Sequence, residues 1–99
     1  MAWRGKHYPT SEAAYAAHPG GIPIGTTYRG ADGRLYLVTP GGIANLGAHD
    51  ISGEDGAITV SPSILVSNAE GPQYHGYFEN GILKDDCDGR IFSQWPATA

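Results

Sequence analysis

Glycine occupies 15 of the 99 positions, and charged residues make up only 16% of the chain, well below the usual quarter. Glycine loses more backbone entropy on ordering than any other residue and tolerates positive φ, so at this density it interrupts regular elements and serves tight turns. The chain is therefore confined to short elements joined by many tight turns. Only "PTSEAAYAAHPGG" reads as a helix. Thr10 or Ser11 can cap it, Glu12 suits the positive end of the dipole, and four alanines favour the helical backbone. Gly20 and Gly21, with Pro19 ahead of them, end it. This predicts a helix over about 10–18, of at most about eight residues, with Tyr15 as its one large anchor.

Everything after the helix reads as β. Strand-like runs fall at 23–29, 34–39, 43–47, 57–66, 74–79, 82–84 and 90–92. Asp32-Gly33 and Asn80-Gly81 are hairpin turns by type, because tight hairpins need positive φ. Residues 48–56 read as a loop, 67–73 as a turn-rich connection, and Trp95 as the anchor of the last residues. The fold class that follows is α+β, mostly β: a small antiparallel sheet or partly open barrel of six or seven short strands with one short N-terminal helix, in a single domain spanning 1–99. A chain of this length buries about two-thirds of its surface, enough for one modest core without a staple.

Composition excludes several functions. Cys87 is the only cysteine, so neither an internal disulfide nor a Cys-rich zinc site can form within one chain. The six Lys and Arg are scattered under a net charge of −4, which leaves no basic patch for nucleic acid. No stretch approaches the ~20 apolar residues that cross a bilayer, so no membrane partner is expected. "MAWRGKHYPT" has no apolar h-region, so no secretory signal is expected. The four histidines lack metal-ligand spacing, and neither "HDISGEDG" nor "KDDCDGR" fits a calcium loop. No metal or cofactor is expected. His18 reads as a helix cap. Cys87, between two aspartates, reads as a poor nucleophile, because neighbouring carboxylates disfavour the thiolate.

The chemistry-bearing stretch is "TVSPSILVSNAEGPQYHGYFENG", residues 59–81. If 61–66 pairs with 74–79 and Val66 faces Tyr74, then Leu65 faces His75, Ile64 faces Gly76, Ser63 faces Tyr77 and Ser61 faces Glu79. Side chains alternate between faces. Pro62, Ile64, Val66, Tyr74 and Phe78 then share a core face; Ser61, Ser63, Leu65, His75, Tyr77 and Glu79 share the other. Ser63 and His75 become diagonal neighbours, close enough for an imidazole to reach a hydroxyl. Ser63 is the better nucleophile, with Ser61 one step further away. Glu79 lies about 13 Å along the strand from His75, too far to orient it. An orienting carboxylate has to come from Asp50, Asp85, Asp86 or Asp88, and the expectation is that none is placed to do so.

"DGAITVSPSI", "YHGYFENGIL" and "DDCDG" together resemble a family of small, largely uncharacterised phage and prophage proteins. Their shared core is a PSI segment, then a histidine, an aromatic-rich strand and an Asn/Asp-Gly turn. The resemblance covers residues 55–89. Relatives of that group resemble predicted serine-type peptidases encoded beside bacterial ubiquitin-like conjugation genes. This implies a nucleophile at Ser63 or Ser61, a base at His75, and residence in the host cytoplasm or the virion. Where many such proteins carry Cys before that His, this chain has Tyr74. Where they carry a second His after the later "DC", it has Asp88-Gly89, so a Cys/His metal site is not implied.

Two functions follow. The abundant Tyr and Trp, types enriched at protein contacts, and the low charge point to a phage-encoded binding or structural module. It would be a virion accessory (decoration) subunit or an inhibitor of a host defence factor, with Tyr77, Tyr74, Glu79 and Leu65 as contact residues. Its partner would be a phage or host protein, with association between copies of the chain left open. The alternative is a small Ser/His hydrolase, a peptidase or esterase, using Ser63 and His75.

Overall fold

The computed structural model describes residues 2–90; the rest of the strand expected at 90–92, and Trp95, lie outside the described residues. The elements run β1 (Trp3–Arg4), β2 (His7–Tyr8), α1 (Ser11–Ala17), β3 (Thr27–Arg29), β4 (Leu35–Thr39), β5 (Gly42–Asn45), β6 (Asp50–Ser52), β7 (Thr59–Asn68), β8 (Gly71–Glu79) and β9 (Ile82–Leu83). The mostly β, α+β class is the one observed. Among the described residues the strands divide between two sheets and close no barrel: an antiparallel one ordered β1-β9-β8-β7-β6, and a second ordered β2-β3-β4-β5. In the second, β2 runs parallel to β3.

The nine strands among the described residues exceed the expected six or seven because β1, β2 and β6 have only two or three residues each. Such segments carry no detectable alternation, and partners define them: Trp3 faces Leu83, His7 faces Thr27, and Ile51 faces Val60. The stretch 48–56, read as a loop, therefore contributes an edge strand.

One face of each sheet meets in a shared core, in which Trp3, Leu35, Leu37 and Leu46 pack with Val60, Ile64, Tyr74, Phe78 and Leu83. Alternation along β4 explains the layering. Leu35 and Leu37 enter this core, while Tyr36 and Val38 turn to the other side, where Ala14, Ile22 and Tyr28 form a second cluster under the helix. The Thr10 hydroxyl caps α1 by accepting from Ala13 N at 3.1 Å. The helix anchor is Ala14, fully buried, and not Tyr15, which is 53% exposed. A methyl side chain allows close approach to the sheet, and the larger Tyr15 ring tilts against Tyr28 instead, 6.4 Å between centroids. The His18 backbone ends the helix by donating to Ala14 O, while its ring reaches Tyr8 Oη at 2.8 Å.

The β7–β8 hairpin positions the chemistry. Its strands run further toward the turn than expected and consume most of the 67–73 connection. Val66 faces Tyr74, Leu65 faces His75 and Ile64 faces Gly76, as the alternation predicts. The ladder then shifts, and the next pair is Val60 with Phe78. Ser61, Pro62 and Ser63 thus stand opposite Tyr77 alone, in a bulge. This corrects the expected Ser61–Glu79 pairing: Ser61 faces Asp50 of β6, and Glu79 faces Ile82 of β9. The bulge also turns Pro62 out to solvent, off the core face. Phe78 and Ile64 stay on that face, both essentially buried. Asn80 and Gly81 take φ of 51° and 75°, the two positive values the hairpin turn requires.

Candidate functional site

On the outer face of the first sheet, Ser63 Oγ lies 2.9 Å from His75 Nε2. The bulge keeps Ser63, and not Ser61, on the face and at the level of the imidazole. Leu65 and Tyr77 flank the pair, 56% and 47% exposed, and Glu79 lies exposed at the far end of β8. Tyr74, expected among the contact residues, is instead fully buried, its hydroxyl donating to Lys84 O at 2.6 Å. Burial, and after it the nearby Cys87, Asp86 and Asp85, pushes the Tyr74 phenol well above its ordinary pKa. A Cβ at Gly76 would collide with the Tyr74 hydroxyl, so that glycine is what lets the ring reach Lys84 beneath the strand.

Of the four aspartates that could orient the imidazole, Asp88 is the one that comes near it. Asp88 Oδ2 lies 3.4 Å from His75 Nδ1, in the ion-pair range though longer than a strong hydrogen bond. The 84–90 segment, readable from "DDCDG" only as a turn, folds back along β8. Lys84 N donates to Tyr77 O at 2.8 Å, and Cys87 N to His75 O at 2.6 Å.

Asp86 fastens this segment. Its side chain is fully buried. Oδ2 accepts from His75 N at 2.8 Å, and Oδ1 accepts from Asp88 N at 2.7 Å and Arg90 N at 3.2 Å. The Arg90 guanidinium adds contacts at 3.1 and 3.3 Å. Burial alone would raise the Asp86 pKa. The backbone donors of His75, Arg90 and Asp88, with the guanidinium, outweigh it and hold the carboxyl below its ordinary range, so it is ionised at neutral pH. Arg90 also meets Asp88 Oδ2 at 3.1 Å, the same oxygen that faces His75. Asp88 is thereby held from two sides, and part of its charge is shared with Arg90.

Proton placement follows from these contacts. A carboxylate beside Nδ1 favours the tautomer with hydrogen on Nδ1, which leaves the Nε2 lone pair to accept the Ser63 hydroxyl proton. Serine, imidazole and carboxylate stand in the connectivity that activates a hydroxyl nucleophile. Sequence reasoning missed Asp86 and Arg90 as the fastening, and it named Asp88 only as one of four aspartates able to supply the carboxylate. Among the described residues no three His, Cys, Asp or Glu side chains converge as a metal-binding group.

No protein-family model matches the chain, and no curated protein or solved structure shows significant similarity to it.

Proposed function

We propose that Ser63, His75 and Asp88 form a nucleophilic acyl-transfer centre and that the protein is a small serine-type hydrolase of peptide or ester bonds. The observation that carries this reading is the continuous contact from Ser63 Oγ to His75 Nε2 and from His75 Nδ1 to Asp88 Oδ2. As Ser63 Oγ bonds to a substrate carbonyl carbon, its proton passes to His75 Nε2, and Asp88 faces the imidazolium so formed. His75 then gives that proton to the leaving nitrogen or oxygen as its bond to carbon breaks. A water molecule, deprotonated by the same nitrogen, releases the acyl group and returns the proton to Ser63. A fluorophosphonate probe read by intact mass spectrometry tests this. The expected result is one adduct on the wild-type chain and none on Ser63→Ala; a wild-type chain that never gains the adduct would overturn the reading.

A second reading, the phage-encoded contact module, is favoured by the exposure of Leu65 and Tyr77 on the same face. Its signature is a protein partner, captured from phage particles or host lysate, that Tyr77→Ala loses and Ser63→Ala retains.

A further inference from the structure

The three groups are arranged across the sheet, not along it. The 84–90 segment bonds to one flank of β8, and β7 occupies the other. Asp88, His75 and Ser63 therefore step from segment to β8 to β7, and Ser63 stands on the outermost strand at its level. β6 covers β7 only over Thr59–Ser61. Among the described residues, positions 63–68 have a strand partner on the β8 side alone. The nucleophile thus sits where a free sheet edge begins.

The direction of that edge's backbone can be deduced. His75 N donates to Asp86 Oδ2 and His75 O accepts from Cys87 N, so both polar backbone groups of His75 point away from β7. In an antiparallel pair, a residue whose N–H and C=O both point away from its partner belongs to a non-hydrogen-bonded pair. Leu65, which faces His75, is the other member, so its N–H and C=O point to the open edge. An unpaired donor and acceptor on one exposed edge residue are a template for an added strand. Pro62 has no N–H and the bulge breaks the ladder, so strand addition starts at Ser63 and does not run on into β6.

We propose that the substrate is an extended polypeptide segment that adds as a strand along residues 63–68, held by the Leu65 backbone N–H and C=O and thereby laid beside Ser63. This rests on the hydrolase reading and narrows it from peptide or ester to peptide. The exposed Leu65 side chain, on the same face as the nucleophile, favours an apolar substrate residue beside it.

The test measures the rate at which the full chain gains the fluorophosphonate adduct at Ser63. It is run alone, with a pool of end-capped hexapeptides alternating apolar residues and threonine, and with the same pool N-methylated at alternate amides. The unmodified pool should slow labelling and the methylated pool should be weaker by roughly tenfold, the effect of losing one or two backbone hydrogen bonds. Leu65→Pro removes an N–H that does not face β8, as edge strands tolerate; the unmodified pool should no longer slow labelling of this variant relative to the same variant alone. If that variant does not fold, the two pools decide alone. Equal protection by both pools, or Ser63-dependent labelling that no peptide slows while a small aryl ester does, would overturn strand addition and leave the hydrolase standing. A wild-type chain that never labels would overturn the hydrolase reading, and this one with it.

Discussion

Two hydroxyl–imidazole–carboxylate strings lie among the described residues, and they differ in access to the hydroxyl and in anchoring of the carboxylate. At the first sheet, Ser63 meets Nε2 of His75 and Asp88 meets Nδ1. At the second, His7 Nδ1 lies 2.9 Å from Thr27 Oγ1, and His7 Nε2 lies 3.6 Å from Asp55 Oδ2. Thr27 is only 4% exposed, so no substrate carbonyl can approach its hydroxyl. Asp55 stands out in solvent, its side chain 69% exposed, whereas the segment that carries Asp88 is fastened by the buried Asp86. The residue types alone therefore do not make a site. Access to the hydroxyl and anchoring of the carboxylate separate the string proposed as the acyl-transfer centre from one that joins the second sheet to the loop before β7.

The largest expected difference is in the nucleophile. Ser63→Ala should abolish fluorophosphonate labelling, and Thr27→Ala should leave it in place; labelling lost in Thr27→Ala, with the fold intact by circular dichroism, would erase the contrast. Next comes anchoring. Asp86→Ala leaves buried donors from His75 and Asp88 unpaired and should cost about 3 kcal/mol in urea unfolding. Asp55→Ala, at an exposed pair, should stay within about 0.5 kcal/mol.

Asp88→Asn should slow labelling about tenfold, with Asp55→Asn at the wild-type rate. Removing the charge of a fully engaged third residue lowers turnover about 10⁴-fold in the worked protease case. Asp88 is 3.4 Å from the ring, half exposed, and shared with Arg90, so a smaller loss is expected. The smallest effect is on pH dependence. The Asp86 pKa is lowered in the folded protein, so between the two pKa values the unfolded chain binds more protons and stability rises with pH. The contribution is complete above the unfolded value of about 4 and is lost as pH falls through the folded one. Urea midpoints followed from pH 6 to pH 3 should fall more steeply for wild type than for Asp86→Asn; parallel curves would contradict the assignment.

The hairpin was legible because its signals are local. Asn80-Gly81 specifies its own turn, and the apolar alternation of Ile64, Val66, Tyr74 and Phe78 sets the pairing that puts Ser63 and His75 on one face. The bulge was less legible. Pro62 inside a strand marks an irregularity, but not how many residues it displaces, and uninterrupted alternation pairs Ser61 with Glu79. Tyr15 is a misleading anchor because side-chain size is readable in the sequence and helix-to-sheet distance, which Ala14 decides, is not. Which of the four aspartates meets His75 is hidden for a different reason. Asp88 reaches the ring only because Asp86 is buried against β8 by hydrogen bonds to backbone amides and Arg90, contacts that leave no pattern in the sequence beyond an acidic, glycine-bearing turn.

The most direct test is a long-range proton–nitrogen NMR spectrum of the histidine rings near neutral pH, which reads both strings at once. At His75 the account predicts the tautomer with hydrogen on Nδ1, facing Asp88, and a bare Nε2 ready for the Ser63 proton. At His7, where the threonine and the aspartate are exchanged between the two nitrogens, it predicts hydrogen on Nε2. Hydrogen on Nε2 in both rings would contradict it, because His75 could then take no proton from Ser63.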